Sequence, residues 1–262
     1  MRKSPQKWNS TLGKAVKMNG IDVSQHNGYI DWGKVKASGK ADFAILRCGF
    51  GREHSRQIDK QFERNYAECA RLGMPAGVYH YSYALSPEDA EKEAEFCLKL
   101  IKGKKLAFPV WYDIEERSQV DRGNCDDIAK AFCDKLEAAG YFTGVYTFDS
   151  FARTNLTDKT KKRYAMWIAR IGGEPRYSPY GMHQYSWKGN IPGISGDVDM
   201  NISYMDYPTF IKKKGLNGFS EADKQRFRVS ATAANLTEEQ ADMIMRECSE
   251  LGMTVVRRKS DG

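Results

Sequence analysis

The stretch Phe108-Pro-Val-Trp-Tyr-Asp113-Ile-Glu115-Glu116 carries two carboxylates at the end of an apolar, β-prone run. Alternate residues of a strand point to one face, so Asp113 and Glu115 would project to the same side, roughly 7 Å apart along the chain. Glycosidic bond hydrolysis is the chemistry that uses such a pair. One carboxyl gives a proton to the leaving oxygen while another carboxylate stabilises the positive charge developing on the sugar. Two acids at a strand end also occur simply because they face water, so the pair needs company. Two further runs supply it. Asp22 and Ser24 share one face of their run while Ile21 and Val23 take the other. Asp197, Asp199 and Asn201 alternate with Val198, Met200 and Ile202.

Eight strand-like runs deliver these residues: 20–24, 43–48, 76–83, 108–114, 142–148, 164–169, 181–187 and 199–202. Helical patterns fill 31–38, 60–72, 87–100 and 126–139. Ser86 is a good N-cap and Pro87 suits a first helical turn. Gly73 and Gly140 follow their helices as stops. Strand–helix alternation predicts parallel pairing with crossover helices, and eight strands predict a closed α/β barrel. The last three strands leave little room for helices, so the barrel is expected to be irregular. Catalytic residues of such barrels sit at the C-terminal strand ends. Strands one and eight become neighbours on closure, which would gather Asp22, Asp113, Glu115 and Asp199 at one mouth.

The 262 residues suit one large domain with a small appendage, and 41% hydrophobic with 12% aromatic residues allow a sizeable core. The net charge of +7 suits an anionic partner without naming it. No concentrated basic helix or reading motif is present, which argues against nucleic acid as the partner. No apolar run reaches the roughly 18 residues of a membrane span, so no membrane insertion is expected. Residues 1–17 read as a polar, basic, flexible arm without an apolar signal core. Six scattered cysteines without a C-x-x-C read as buried free thiols. The four histidines lack zinc-ligand spacing, and the chemistry needs no metal or organic cofactor.

Motifs along the chain, in collinear order, resemble the glycoside hydrolase family 25 muramidases, the Chalaropsis-type lysozymes. Asn19-Gly-Ile-Asp22-Val-Ser-Gln-His-Asn-Gly28-Tyr-Ile-Asp31-Trp32 resembles their opening, and Asp113-x-Glu115 their central acidic motif. Met166-Trp167-Ile-Ala169-Arg170 is similar to their sixth strand. Gln184-Tyr185-Ser186, Gly193-Ile-Ser-Gly196 and Val198-Asp199-Met-Asn201 are similar to their closing signature. The likeness covers about residues 18–211 and implies an irregular (β/α)5(β)3 TIM-like barrel. It also implies cleavage of the β-1,4 bond between N-acetylmuramic acid and N-acetylglucosamine in bacterial peptidoglycan. His26, His183 and the pair Arg170-Ile171 depart from residues common in the family, at positions expected along the sugar groove.

Glu115 is the candidate general acid, its pKa raised in part by Asp113 beside it. Asp113 would stay ionised, either as a nucleophile or as the group that orients the substrate's own N-acetyl arm; the resemblance favours the substrate-assisted, retaining route. Asp22 and Asp199 would hold the pair. Tyr79, Tyr146, Trp167 and Gln184 are candidate groove residues. Residues 212–218 read as a linker, and 219–262 as a small βαβ module with strands near 226–231 and 253–258. Between them lies a helix opened by the capping box Thr237–Gln240 and striped by Ala241, Ile244, Met245 and Cys248. Its basic end suits anionic wall polymers, and its small size suits self-association. With no secretory leader legible, the expected setting is a phage endolysin released from the host cytoplasm, or else a secreted lysozyme. The competing reading is a barrel that binds wall glycan without cutting it; retention of both Asp113 and Glu115 argues against it.

Overall fold

The computed structural model describes residues 15–220, Asp223 and residues 237–250. Its strands are β1 (Ala15–Val23), β2 (Phe43–Phe50), β3 (Ala76–Tyr81), β4 (Val110–Asp113), β5 (Thr143–Phe148), β6 (Ala165–Ala169), β7 (Met182–Gly189) and β8 (Val198–Met205). They form one closed barrel in chain order. Neighbours from β1 to β7 pair in parallel, whereas β8 runs antiparallel to both β7 and β1. Residues that point into the barrel pack in one cluster, with Phe43, Phe108, Trp111, Trp167, Met182 and Tyr207 among them. Residues on the outer face, such as Leu46, Val78, Tyr112 and Met166, join a second cluster against the surrounding helices. Both faces of the central strands are therefore buried, which is why they read as nearly continuous apolar runs.

The barrel interior alternates large and absent side chains. The Phe43 and Phe108 rings stack 4.1 Å apart. Gly20 makes room for Phe43, and Gly144 for the Trp111 ring. A methyl at Gly144 would come within 2.7 Å of the Ala165 carbonyl, so the close approach requires glycine there.

The crossovers follow their local signals. They are α1 (Trp32–Ala37), α2 (Phe62–Arg71), α3 (Pro87–Ile101), α4 (Arg117–Arg122), α5 (Cys125–Ala138), α6 (Asp149–Asn155) and α7 (Asp158–Lys161). Ser86 caps α3, its hydroxyl accepting from Asp89 N, with Pro87 in the first turn. The short α4, α6 and α7 escape a reading by periodicity because four to seven residues never complete an apolar stripe.

Two expected boundaries move. β1 starts at Ala15 and pairs there with Met205, so 15–17 belong to the barrel rather than to an arm. Residues 212–218 are not a linker. Lys212–Lys214 finish α8 (Tyr207–Lys214), and the chain then passes beneath β4 and β5. Asn217, fully buried at φ 55°, accepts Phe142 N at 2.6 Å on Oδ1 and donates from Nδ2 to Phe108 O at 2.8 Å. Asparagine tolerates this left-handed conformation better than most residues. The two compact units divide between Lys224 and Gln225. In the second, α9 (Glu238–Glu250) starts at the expected capping box, with Gln240 N on Thr237 Oγ1 and Thr237 N on Gln240 Oε1. The two strands expected on either side of it lie outside the described residues.

Candidate active site

β4 ends at Asp113, and the chain stays extended past it because Ile114 N donates to Tyr146 O at 3.0 Å. That bond keeps Glu115 on the face of Asp113, at the C-terminal mouth of the barrel. Asp113 is 4% exposed and registers between Tyr81 of β3 and Tyr146 of β5. Its Oδ1 is buried without a hydrogen-bond partner among the described residues. Burial, with Glu115 and Asp22 close by, pushes its carboxyl well above the ordinary aspartate range. Glu115 is half-buried and is also raised, by burial first, with Glu116 and Asp199 adding repulsion against the opposing effect of the nearby Tyr81 hydroxyl.

The reversal of β8 brings in the other acids. An antiparallel last strand starts where the others finish, so Asp199 near its beginning lies in register with Asp22 near the end of β1. Asp22 is 7% exposed, and its Oδ2 accepts from Asn201 Nδ2 at 2.7 Å and from Gln184 Nε2 at 2.8 Å. Asp22 and Asp199 are register partners and perturb each other's titration, and two carboxyls so placed favour holding one proton between them. Burial raises Asp22 to about 6, against the hydrogen bonds it accepts. Burial and the Asp22 charge raise Asp199 to about 7. The structure thus brings Asp22, Asp113, Glu115 and Asp199 to one mouth, as four carboxyls that cannot all ionise together near neutrality.

The expected groove residues divide. Gln184 links the Tyr146 hydroxyl, Asp22 and Asp199 in one network. Tyr79 is half-buried and Tyr146 nearly buried. Trp167 is 1% exposed and lies against both tyrosines, so it has no free face for a sugar ring. Its Nε1 donates to Asn201 Oδ1 at 2.9 Å and so fixes the amide that holds Asp22. His183 does not line the groove, because Gln184 faces inward and its neighbour must face out; it is buried, with Nε2 on Arg170 O at 2.8 Å. His26 is exposed in the turn after β1.

Other aromatic faces escape the sequence reading. Trp187 is 48% exposed and donates to Gln184 Oε1 at 3.2 Å. Tyr83 is 51% exposed and packs on Tyr81, whose hydroxyl donates to Glu116 Oε1 at 2.7 Å. The alternation Tyr79-x-Tyr81-x-Tyr83 was a legible signal for one aromatic face. Arg47 had none: it is the cation that opposes the rise of Asp113, and β2 carries it into the barrel beside Tyr79. Among the described residues, Cys48, His80 and Cys97 form a group able to hold a metal ion. Cys48 and Cys97 lie in the outer core, behind the barrel wall, so the chemistry of the mouth is a matter of carboxyls.

A model of the glycosyl hydrolases family 25 matches residues 21–194. The autolytic lysozyme of Clostridium acetobutylicum is 30% identical over 186 residues, covering 70% of this chain and 55% of that protein. The chain therefore spans little more than half of that relative. The modular autolysin LytC from Streptococcus pneumoniae superposes with a TM-score of 0.65 at 32% identity, covering 72% of this chain and 47% of LytC; LytC has also been solved in complex with a synthetic peptidoglycan ligand. The catalytic domain of endolysin ply40, from bacteriophage P40 of Listeria monocytogenes, superposes with a TM-score of 0.64 at 28% identity, covering 78% of this chain and 100% of that domain. The motifs, the barrel and the match over most of the barrel agree: this chain belongs to the glycosyl hydrolases family 25.

Proposed function

We propose that the protein is a peptidoglycan hydrolase that cuts the β-1,4 bond between N-acetylmuramic acid and N-acetylglucosamine, retaining configuration at the anomeric carbon. The observation that carries this reading is the gathering of Asp113 and Glu115, at the end of β4, with the register partners Asp22 and Asp199 at one barrel mouth, where the Asp113 Oδ1 is buried and unpartnered. Glu115, the more exposed of the first two, gives its proton to the leaving oxygen. The substrate's acetamido oxygen attacks the anomeric carbon as that bond breaks, forming a cyclic oxazolinium. Asp113 accepts the acetamido N–H on its unpartnered Oδ1; burial and the neighbouring acids favour its protonated form in the free protein, so this role requires that the incoming N–H and the developing positive charge draw its proton away. Water then opens the ring and gives its proton to the Glu115 carboxylate, which resets the site. Asp22, Asn201 and Gln184 hold the mouth in place from β1, β8 and β7. The site of action is the bacterial wall, reached by release from a host cell or by secretion. The module that contains α9 is proposed to bind anionic wall polymers or a second copy of itself.

Digestion of purified peptidoglycan, followed by mass analysis of the new reducing ends, tests the bond. Muramic acid ends are expected; glucosamine ends or freed peptides would reject it. Proton NMR of the first product tests the stereochemistry, with the β-anomer expected before mutarotation.

A further inference from the structure

Beside the mouth lies a pocket of about 310 Å³, a volume at the small-ligand scale. Phe148, at the end of β5, and Ala169, at the end of β6, form part of its lining and are register partners. Ala169 also registers with Gln184 of β7, the residue that holds Asp22. Phe148 meets Trp187 edge-on at 6.3 Å, so this wall is continuous with the mouth.

The remaining lining is charged. Arg153, Arg170 and Arg176 surround one carboxylate, Asp149. That carboxylate is already fully engaged. It accepts Tyr177 N at 2.7 Å, Arg153 Nε at 3.2 Å and Arg170 NH1 at 3.4 Å. Arg176 is exposed and makes no ion pair among the described residues. Three guanidiniums against one carboxylate leave the pocket cationic, next to a mouth crowded with Asp22, Asp113, Glu115, Glu116 and Asp199. An anionic ligand group repelled by the acids would settle here. The planar guanidinium fork matches a carboxylate or a phosphate in a bidentate pair.

We infer that this pocket binds the carboxylates of the peptide that a peptidoglycan strand carries on its muramic sugar, and so selects peptide-bearing glycan over bare glycan. The inference rests on the peptidoglycan reading above. The substrate itself favours it, because the peptide hangs from a sugar of the bond being cut and the tether confines its carboxylates near the acids.

The test uses the full chain on three substrates: phosphate-free peptidoglycan strands, the same strands after an amidase has removed the peptides, and walls that retain their phosphate polymers. Arg176→Ala should lower kcat/KM on peptide-bearing strands about tenfold through KM, the worth of one charge-assisted hydrogen bond. Turnover of bare strands should not change, and Arg176→Lys should recover part of the loss. Unchanged melting of the variants shows that the fold is kept. Equal loss on peptide-bearing and bare strands, or no loss on either, would overturn the inference while leaving the hydrolase reading intact. A loss seen only on walls that retain phosphate polymers would give the pocket to those polymers instead. If the unaltered protein cuts none of the three, the hydrolase reading falls and this inference with it.

Discussion

Glu115 and Asp113 differ in exposure, and that difference decides which substitution is informative. Glu115→Gln keeps the shape of the side chain and removes its transferable proton. Wall hydrolysis should fall at least about 10²-fold with an unchanged melting temperature; near-normal turnover would remove Glu115 from the mechanism. The Asp22–Asp199 pair makes a separate prediction about stability. The folded carboxyls titrate near 6 and 7, against an ordinary value of 3.8. Between about pH 4 and pH 7 the folded state therefore binds more protons than the unfolded one, and stability falls as pH rises. Melting curves from pH 4 to pH 8 should show this fall, and Asp199→Asn should flatten it; an unchanged slope in the variant would refute the shared proton. The acids were legible because alternation placed each on the same face as a polar neighbour. Trp167 read equally well as a groove residue or a core one, since its neighbours Met166 and Ile168 fit either role. Only packing against Tyr79 and Tyr146 distinguishes them.

At the level of elements, the central strands were legible because burial on both faces leaves a nearly unbroken apolar signature, and β1 and β8 because a polar stripe alternates with an apolar one. The floor was not. Lys212-Lys-Lys-Gly reads as a solvated connection, yet its lysines end a helix whose other side carries buried Tyr207 and Ile211. Asn217 carries no sequence signal at all, because its partners are backbone groups at Phe108 and Phe142. Asn217→Ala leaves both groups buried and unpaired and should cost about 2–4 kcal/mol in urea melts. The interior predicts a second cost. At Gly144 a methyl would meet the Trp111 ring, which is held between Trp167 at 5.6 Å and Tyr207 at 5.8 Å. Gly144→Ala should destabilise by about 1–3 kcal/mol, the range of overpacked cores, and a neutral result would show that the ring can yield.

For the whole molecule, the place of a truncation matters more than its length. Ending the chain after Lys214 removes Asn217 and the hydrogen bonds beneath β4 and β5, so the barrel should melt at a clearly lower temperature. Ending it after Lys224 respects the division between the two units and should leave the melting temperature of the barrel within a few degrees. Equal melting of the two truncated forms would mean that the floor contributes little. The closure of the barrel has one more consequence, in the timing of synthesis. The seam joins β1 to β8, and across it Asn201 holds Asp22 over 179 positions of sequence. At roughly 5–20 residues per second, a ribosome needs on the order of 10–40 s to go from one to the other. Until β8 is made, Asp22 lacks both the Asn201 amide and its register partner Asp199. A chain that ends before β8 therefore lacks part of the four-carboxyl mouth, and the proposed hydrolysis should arrive only with the last strand.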